Sequence, residues 1–492
     1  MVVSMFADLR NGIARHLALL FVFILGAVIR AVPEAIAGGY PVGWDTIAFY
    51  VPSTFYWAAG KAGLAAMIGE APLIYLLSVP LYWVGVDPVW TFKLMGPLLY
   101  GLIIFSISVF LKNGLSWNKR ASITGAIVAS LYFITLRVGW DLYRTMAGLS
   151  FALLALSFLG ELREGKKRLP IMLLVFLSVT SDQFTAVIII LLIAAVAMRE
   201  LAHGNQTFSG NLAKVSIPGI AMLGLMTYAE LSISGSLFLG QPPLGTPWNL
   251  MDTLTFLAYA YLPILPLAAF GLRSRGRFLM GLWSIICVGG AVVSSLPGLG
   301  LQPLSYRWVL LLTVPVCVFA ASGLSRLLSV TEIVAGWVRT LGMNVPRVVI
   351  AILLMSAIAY MVLPSAHPFP YLTAYPAAIP TSLSQSTIPL SDANSVVSLL
   401  SWLKTNMSAG SVLISHQAIY GWALEYLPKG SAVINYGYAT PMAGVTTAES
   451  RGYSSIMLIW WVDGSGWFGQ STVPSSFVSV QTNGEMALYM YL

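Results

Sequence analysis

Residues 72–86 read "PLIYLLSVPLYWVGV", and the orientation of every later segment depends on whether this apolar stretch crosses a membrane. A membrane-spanning helix needs about 20 mostly apolar residues, with a range of roughly 17–25. The stretch has only 15 residues and contains Pro80. Its length therefore leaves the question open, and the charges around it have to answer it.

The composition places most of the chain in lipid. The protein has 492 residues, of which 58% are hydrophobic and 9% charged, and its mean hydropathy is +0.81. Soluble globular proteins carry about 25% charged residues. The net charge of +8 does not require nucleic acid as a partner, because Lys and Arg collect in the cytoplasmic loops of membrane proteins. Cys287 and Cys317 both lie inside apolar runs, which excludes a disulfide framework.

Apolar runs elsewhere predict eleven membrane spans. They cover residues 15–32, 89–111, 121–138, 145–161, 169–182, 184–198, 215–234, 253–271, 278–296, 308–326 and 348–365.

The positive-inside rule decides the orientation. If 72–86 stays outside the bilayer and the N-terminus is cytoplasmic, the clusters "REGKKR" (163–168) and "RSRGR" (273–277) face the cytoplasm. If 72–86 spans, both clusters face outside. We therefore predict an all-α polytopic membrane domain over residues 1–365. In it, 33–88 form one long external segment, and 72–86 lie as a helix in or near the outer interface.

The N-terminus has an alternative interpretation. A basic start, an apolar run and the small-residue sequence "AIA" (35–37) are also typical of a secretory signal peptide. We favour an uncleaved first span.

The composition changes after the last span. Residues 366–390 are rich in Pro, Ser and Thr and predict a linker. Helical and strand-like patterns then alternate over 391–492, which predicts a small extracytoplasmic α/β domain. The predicted helices are "SDANSVVSLLSWLKTNM" and "QAIYGWALEYL", and the predicted strands are "SVLIS", "SAVINYG", "SSIMLIWWV" and "MALYMYL".

Ionisable residues collect on the outer side in this topology. Charged groups at membrane depth are costly and usually mark function. Five separate segments contribute them, and we expect them to meet in one outward-facing cavity. The candidates are Asp45 in "GGYPVGWDTIAFY" (38–50), with Glu34 and Glu70 in the same external segment, then Arg137, Asp141 and Arg144 in "LRVGWDLYRTMAG" (136–148), Asp182 in "TSDQF" (180–184), Glu230 near the outer end of the seventh span, and Arg307 in "SYRWVLLLTVP" (305–315).

Several of these residues also have a structural interpretation. The stretch Gly43-Trp44-Asp45-Thr46 is typical of a turn, and Asp45 in it is typical of a helix N-cap. Asp141 and Arg144 are three residues apart and suit an ion pair on one helix face. Asp182 suits a cap on the sixth span.

The remaining candidates have plain alternatives too. Arg30 and Arg137 stand at the ends of spans, where long basic side chains snorkel, and for Arg30 we prefer that explanation. Glu70 has the alternative interpretation of an ordinary charged residue at the membrane interface. Lys93 suits either a lipid phosphate contact or snorkelling.

Arginines and a carboxylate on the outer side favour one kind of chemistry. Arg binds phosphate through a rigid bidentate fork. A carboxylate can take the proton from a hydroxyl nucleophile, and Arg can stabilise the charge that builds on a departing phosphate. This combination fits group transfer from a polyprenyl phosphate.

Four stretches resemble the GT-C superfamily of polytopic membrane glycosyltransferases, especially its archaeal members. "GWDTIAFY" (43–50) followed by 72–86 is similar to the family's long first external loop with its acidic residue. "WDLYRTMAGL" (140–149) resembles the second external loop, and "SYRWVLLLTVPVCVFAASGL" (305–324) a late span. "SWLKTNMSAGSVLIS" (401–415) is similar to the start of the soluble tail.

The resemblance implies site roles and partners. It makes Asp45 the catalytic acid or base, Asp141 a second acid, and Arg307 a contact to phosphate or substrate. Arg137 and Arg144 are then expected to hold the donor phosphate, and Asp182 and Glu70 to contact substrate. The donor would be a polyprenyl-phosphate-linked sugar, and the acceptor a glycan, lipid or protein at the outer face of the cell membrane.

The sequence also departs from the family. Oligosaccharyltransferases of the superfamily have paired acids in the second loop and a Trp-Trp-Asp-Tyr-Gly motif in the tail. Here the second loop offers only Asp141, and the tail reads "WWVDGSG" (460–466). Monosaccharide transfer with an inverting mechanism therefore fits better. No cofactor is expected, and a divalent metal is not favoured.

Two other functions remain open at this point. A secondary transporter or lipid flippase would show repeats and matched broken spans, and the sequence shows no such symmetry. A scaffold that displays the C-terminal domain would leave the outer acids unexplained.

Overall fold

The structure is a computed structural model. It describes residues 2–234, 249–274, 276–296, 305–333, 345–362, 386–408, 410–437, 439–463 and 472–492. The predicted linker lies outside the described residues up to residue 385. The chain divides into two compact units, a helical unit of residues 1–32, 62–77 and 94–380 and a mixed unit of residues 33–61, 78–93 and 381–492.

The first half of the described chain is almost wholly helical. Its α-helices are Val2–Ile36, Val51–Ala58, Leu64–Gly69, Leu73–Trp83, Pro88–Val109, Lys119–Leu131, Phe133–Asp141, Tyr143–Phe158, Arg168–Ser181, Gln183–Ala202 and Gln206–Ser234. Short π-helical turns occur at Thr46–Tyr50 and Phe110–Gly114, and a 3₁₀ turn occurs at Leu159–Glu164.

The second half continues with helices and ends in a small sheet. Its α-helices are Leu250–Tyr261, Leu265–Gly271, Arg277–Ser294, Ser305–Leu311, Thr313–Ile333, Val345–Val362, Leu390–Asn406, Gln417–Tyr426 and Pro441–Ser450. The strands are β1 (Ser411–His416), β2 (Val433–Gly437), β3 (Ser455–Trp461), β4 (Phe477–Asn483) and β5 (Met486–Tyr491).

The helices are those of a multi-pass membrane protein. Within the described residues, seven are long and apolar enough to cross a membrane, and nine spans result if each of two bent helix pairs counts as one. The two other predicted spans, 169–182 and 348–365, correspond to shorter apolar helices. The structure therefore supports the polytopic class, while the count of eleven stays a prediction.

Two predicted spans are bent rather than straight. The predicted span 121–138 consists of two helices that meet at 67°, and the predicted span 253–271 consists of two that meet at 76°. Tyr132 separates the first pair with an extended backbone, ψ 127°. Pro263 and Pro266 stand at the second break, where proline removes a helical N–H and disturbs the preceding turn.

The stretch at 72–86 forms a short helix, Leu73–Trp83, of 11 residues. At 1.5 Å per residue this helix is about 16 Å long, well short of the roughly 30 Å hydrocarbon core. Its length agrees with the expectation that it does not cross. Its placement in the outer interface stays a prediction.

The mixed unit contains a five-stranded sheet in the order β2-β1-β3-β5-β4. β1 is parallel to both β2 and β3, whereas β5 is antiparallel to β3 and β4. β1 and β3 are almost fully buried, as their continuous apolar runs predict. The sequence analysis missed β4, because this strand is mostly exposed and largely polar.

The first external segment supplies much of the mixed unit. Residues 33–61 and 78–93 belong to it together with 381–492. The Thr54 hydroxyl lies 2.9 Å from the Ser78 hydroxyl, and the rings of Tyr50 and Phe92 are 5.4 Å apart. The compact unit around the sheet is therefore larger than the predicted C-terminal domain.

Candidate functional site

The turn at 137–144 in the helical unit holds the densest group of predicted site residues. The helix Phe133–Asp141 ends at Leu142, whose φ of −89° and ψ of 60° are not helical, and Tyr143 starts the next helix. Arg137 and Asp141 are one helical turn apart, and Arg137 Nη1 lies 2.7 Å from Asp141 Oδ1. Only 1% of the Asp141 side chain is exposed. The ion pair therefore links Arg137 to Asp141, where the sequence had suggested Arg144 as the partner.

Arg30 holds this turn from the first helix. Its Nε donates to the Gly139 carbonyl at 2.7 Å, and its Nη2 donates to the Trp140 carbonyl at 2.6 Å. The guanidinium also lies 5.5 Å from the centre of the Trp140 ring. Arg30 is 1% exposed. The expectation that Arg30 snorkels is therefore wrong, because its donors bind carbonyl groups that the helix end leaves open.

Tyr100 packs against the same turn because residue 139 is a glycine. A Cβ at Gly139 would overlap the ring of Tyr100, so only glycine admits this approach. The Tyr100 hydroxyl donates to the Ser130 carbonyl at 2.9 Å. On the other side, Trp140 meets Tyr360 edge to face at 6.4 Å. The position of the Arg137–Asp141 pair is thus fixed by buried aromatic packing.

Arg144 connects the turn to residues 69–70 of the first external segment. Its Nη1 donates to the Glu70 carbonyl at 2.6 Å. Gln183 Nε2 donates to the Gly69 carbonyl at 2.7 Å and contacts the Glu230 carboxylate at 3.2 Å. Glu230 is 2% exposed. Arg144 therefore contacts the backbone of Glu70, and a shared outward-facing cavity stays a prediction.

Asp182 caps a helix, as one interpretation of the sequence predicted. Its Oδ2 accepts hydrogen bonds from the Thr185 N–H at 2.9 Å and the Thr185 hydroxyl at 2.7 Å. Its Oδ1 accepts one from the Thr145 hydroxyl at 3.2 Å. Asp182 is 6% exposed. Both oxygens are engaged within the protein, which argues against the substrate contact expected from the sequence.

Arg307 lies near the start of the helix Ser305–Leu311 and is partly exposed. Its Nε donates to the hydroxyl of Tyr306 at 3.0 Å. Tyr306 in turn is close enough to Arg137 to interact with it electrostatically. The structure thus relates Arg307 to the turn at 137–144 through this tyrosine.

Asp45 belongs to the mixed unit and does not act as a helix cap. It stands directly before the π-helical turn Thr46–Tyr50, with φ −63° and ψ −26°, and its side chain makes no capping hydrogen bond. The side chain is partly exposed, whereas Thr46, Ile47 and Ala48 behind it are buried. π-Helical turns are rare and frequently occur at functional sites.

Lys93 is buried in the mixed unit, so it is not placed to snorkel or to meet a lipid phosphate. It is 4% exposed and lies 2.9 Å from Glu34 Oε2. Its ammonium group also donates to the carbonyls of Glu34 and Tyr40 at 3.1 and 2.9 Å. These contacts fasten the end of the first helix to the start of the helix Pro88–Val109.

A cavity of about 590 Å³ opens in the mixed unit beside these contacts. Asp87 and Glu425 lie on its wall with Tyr40, Trp90 and Tyr426. Burial and the hydrogen-bonded carboxyl group of Asp87 raise the pKa of Glu425 to about 9. Glu425 is therefore protonated at neutral pH.

Metal ligands are not concentrated at any described position. Within the residues that the structure describes, no group of three or more His, Cys, Asp or Glu side chains is arranged to hold a metal ion. Of the tail sequence "WWVDGSG", residues 464–466 lie outside the described residues. Trp460 and Trp461 are buried in β3, and Trp461 Nε1 donates to Asp392 at 2.9 Å.

Sequence reasoning passed over three residues of this region. Arg30 was assigned to the membrane interface, Glu230 was noted but given no role, and Gln183 was not singled out. The available signal was a charge within an apolar run, which both Arg30 and Glu230 show. Nothing in the local sequence of Gln183 indicates its contact with Gly69, 114 residues away.

Comparisons with known proteins support the fold. No protein family model matches the sequence, and no curated protein matches it. The structure is similar to the crystal structure of ArnT from Cupriavidus metallidurans bound to undecaprenyl phosphate. The TM-score is 0.53, the sequences are 13% identical, and the match covers 96% of each chain. The two proteins therefore share a fold along almost their whole length.

Proposed function

We propose that this protein is a GT-C-type membrane glycosyltransferase that moves a sugar from a polyprenyl-phosphate donor to an acceptor hydroxyl. The observation that carries the proposal is the fold shared with ArnT, whose crystal structure holds undecaprenyl phosphate. In this protein the fold includes an arginine-rich turn at 137–144. The active site and the sheet-containing unit would lie at the outer membrane face, as the loop charges favour.

Asp45 is the proposed base. Its side chain is partly exposed, and its place directly before a π-helical turn is of a kind that is frequent at functional sites. The acceptor oxygen attacks the anomeric carbon as its proton passes to the Asp45 carboxylate. The bond from that carbon to the phosphate oxygen breaks, and the polyprenyl phosphate leaves with the electron pair. A single displacement of this kind inverts the configuration at the anomeric carbon.

Arginines of the helical unit are the proposed phosphate ligands. Arg137, Arg144 and Arg307 each have one donor group fixed by a protein oxygen, from Asp141, the Glu70 backbone and Tyr306 respectively. Such fixed guanidinium groups can stabilise the charge that develops on the leaving phosphate.

The buried acids have supporting roles in this proposal. Asp141 is 1% exposed and ion-paired, so we assign it to the positioning of Arg137 rather than to proton transfer. Asp182 holds the start of the helix Gln183–Ala202. Glu70 contributes its carbonyl to the placement of Arg144.

The test compares purified wild-type protein with Asp45→Asn, each with a panel of radiolabelled polyprenyl-phosphate sugars and a membrane extract as acceptor source. Asp182→Asn is the matched control, because it makes the same chemical change at an aspartate assigned to structure. We expect wild type and Asp182→Asn to transfer label, and Asp45→Asn to lose at least about 1,000-fold in rate.

Three outcomes would argue against the proposal. Transfer by Asp45→Asn at the wild-type rate would remove Asp45 as the base. Aggregation of Asp45→Asn alone would indicate a structural role. Movement of the labelled lipid across proteoliposomes, with no covalent product from any donor, would favour a transporter.

A further inference from the structure

The turn that follows Asp45 is held by the helix Gln417–Tyr426 of the C-terminal sequence. Both belong to the mixed unit. Gln417 Nε2 donates to the carbonyl of Ala48 at 2.9 Å. Ala48 lies within the π-helical turn, where the usual helical hydrogen-bond pattern is altered.

The amide of Gln417 is itself oriented. Its Oε1 accepts a hydrogen bond from Asn435 Nδ2 at 2.7 Å, and Asn435 Oδ1 accepts one from the Gly437 N–H at 2.8 Å. Since Oε1 faces a donor, Nε2 must face Ala48. Gln417 is 9% exposed, so this bond is shielded from water and strengthened by its surroundings.

Gly421, one helical turn further on, determines how closely the two segments approach. A Cβ at this position would overlap the carbonyl oxygen of Ile47. Because the overlapping atom belongs to the backbone, no side-chain rotation would relieve the clash. The glycine therefore allows the backbone of the π-helical turn to lie directly against the helix.

Neighbouring contacts hold the same arrangement on both sides of Asp45. The Ser386 hydroxyl donates to the Gly43 carbonyl at 3.3 Å, two residues before Asp45. The Thr387 hydroxyl donates to the Ala418 carbonyl and accepts from Trp422 Nε1 at 2.9 Å. The stretch "AIYGW" (418–422) is thus buried.

We propose that Gln417 and Gly421 are positioning residues that set the orientation of the Asp45 carboxylate by holding the turn behind it. This inference rests on the proposed role of Asp45 as the base. It gives the C-terminal sequence a function in catalysis that needs no acceptor contact of its own.

The experiment measures kcat and KM for transfer in full-length Gln417→Ala, Gln417→Glu and Gly421→Ala. A base displaced by about 1 Å costs up to roughly 100-fold in rate. We expect kcat to fall 10- to 100-fold and KM for the donor to stay within about twofold. Gln481→Ala, at an exposed position, and Gly210→Ala, where a Cβ meets open space, are the matched controls and should keep the wild-type kcat.

Gln417→Glu adds a pH test that a general loss of stability would not reproduce. The ionised carboxylate cannot donate to Ala48 and repels its carbonyl, whereas the protonated form restores a donor of the same length. The ratio of its kcat to that of wild type should therefore rise as the pH falls. A ratio that does not change with pH would contradict the proposal.

Hydrogen exchange separates this inference from the proposed function. In the same variants, backbone exchange at residues 45–51 should accelerate at least about tenfold if the contacts hold the turn. Unchanged exchange, or faster exchange with unchanged kcat, would overturn the positioning role. If Asp45→Asn transferred sugar at the wild-type rate, the proposed function would be at fault, and the exchange data would still decide whether Gln417 and Gly421 hold the turn.

Discussion

Asp45 and Asp182 each stand at the start of a helical segment, yet the protein uses the two carboxylates differently. Asp182 has an extended backbone, with φ −160° and ψ 127°, and its carboxylate turns back onto the Thr185 N–H. Asp45 already has helical angles, φ −63° and ψ −26°, and makes no cap. A cap requires the non-helical geometry. The backbone at each aspartate, rather than its local sequence, therefore separates the structural carboxylate from the proposed catalytic one.

Asp141 extends the comparison to a buried acid that is ion-paired. Asp141→Asn leaves the guanidinium of Arg137 without this carboxylate, and breaking a buried pair typically costs 3–5 kcal/mol of unfolding free energy. We expect a loss of about that size, together with strongly reduced transfer. Thermal unfolding in detergent and the labelled-donor assay would measure the two effects.

A double variant separates the two effects at this pair. Replacement of both partners by apolar residues, Arg137→Met with Asp141→Leu, should recover much of the stability, because no unpaired charge remains buried. Transfer should stay low if Arg137 binds phosphate. Recovery of both stability and transfer would show that Arg137 and Asp141 have a structural role, as proposed for Asp182.

Asp182→Ala tests the structural side of the comparison. The change removes three hydrogen bonds at the start of the helix Gln183–Ala202, and loss of a cap costs about 1–2 kcal/mol. We expect that destabilisation with transfer within about threefold of wild type, measured at a temperature where the variant is folded. Asn118→Ala, at the cap of the helix Lys119–Leu131, is the matched control. A much larger loss of transfer in Asp182→Ala alone would indicate that Asp182 contacts the substrate.

The sequence predicts elements here far better than it predicts contacts. Apolar runs located the long apolar helices but not the short helix Pro441–Ser450, and the strand patterns at 411–415 and 486–492 correspond to β1 and β5. The bend at Tyr132 was missed, because a tyrosine within an apolar run carries no break signal. Arg30 was misassigned because its partners, Gly139 and Trp140, are about 110 positions away. The bonds that define the candidate site are long-range, and periodicity reports only local structure.

Glu425 concerns the mixed unit that also carries Asp45, and its effect depends on pH. Its pKa is raised from 4.5 to about 9 by burial and by Asp87. In the unfolded chain the carboxyl group ionises above 4.5, whereas in the folded protein it stays protonated until about pH 9. The unfolded state therefore binds fewer protons across this window, so the free energy of unfolding falls as the pH rises.

Glu425→Gln should flatten that fall between about pH 5 and pH 8, which thermal unfolding would measure. Glu485→Gln, at an exposed position, is the control and should keep the wild-type slope. If Glu425→Gln also left transfer unchanged, Glu425 would join Asp182 as a carboxyl group that serves the fold, and Asp45 would remain the proposed base of the mixed unit.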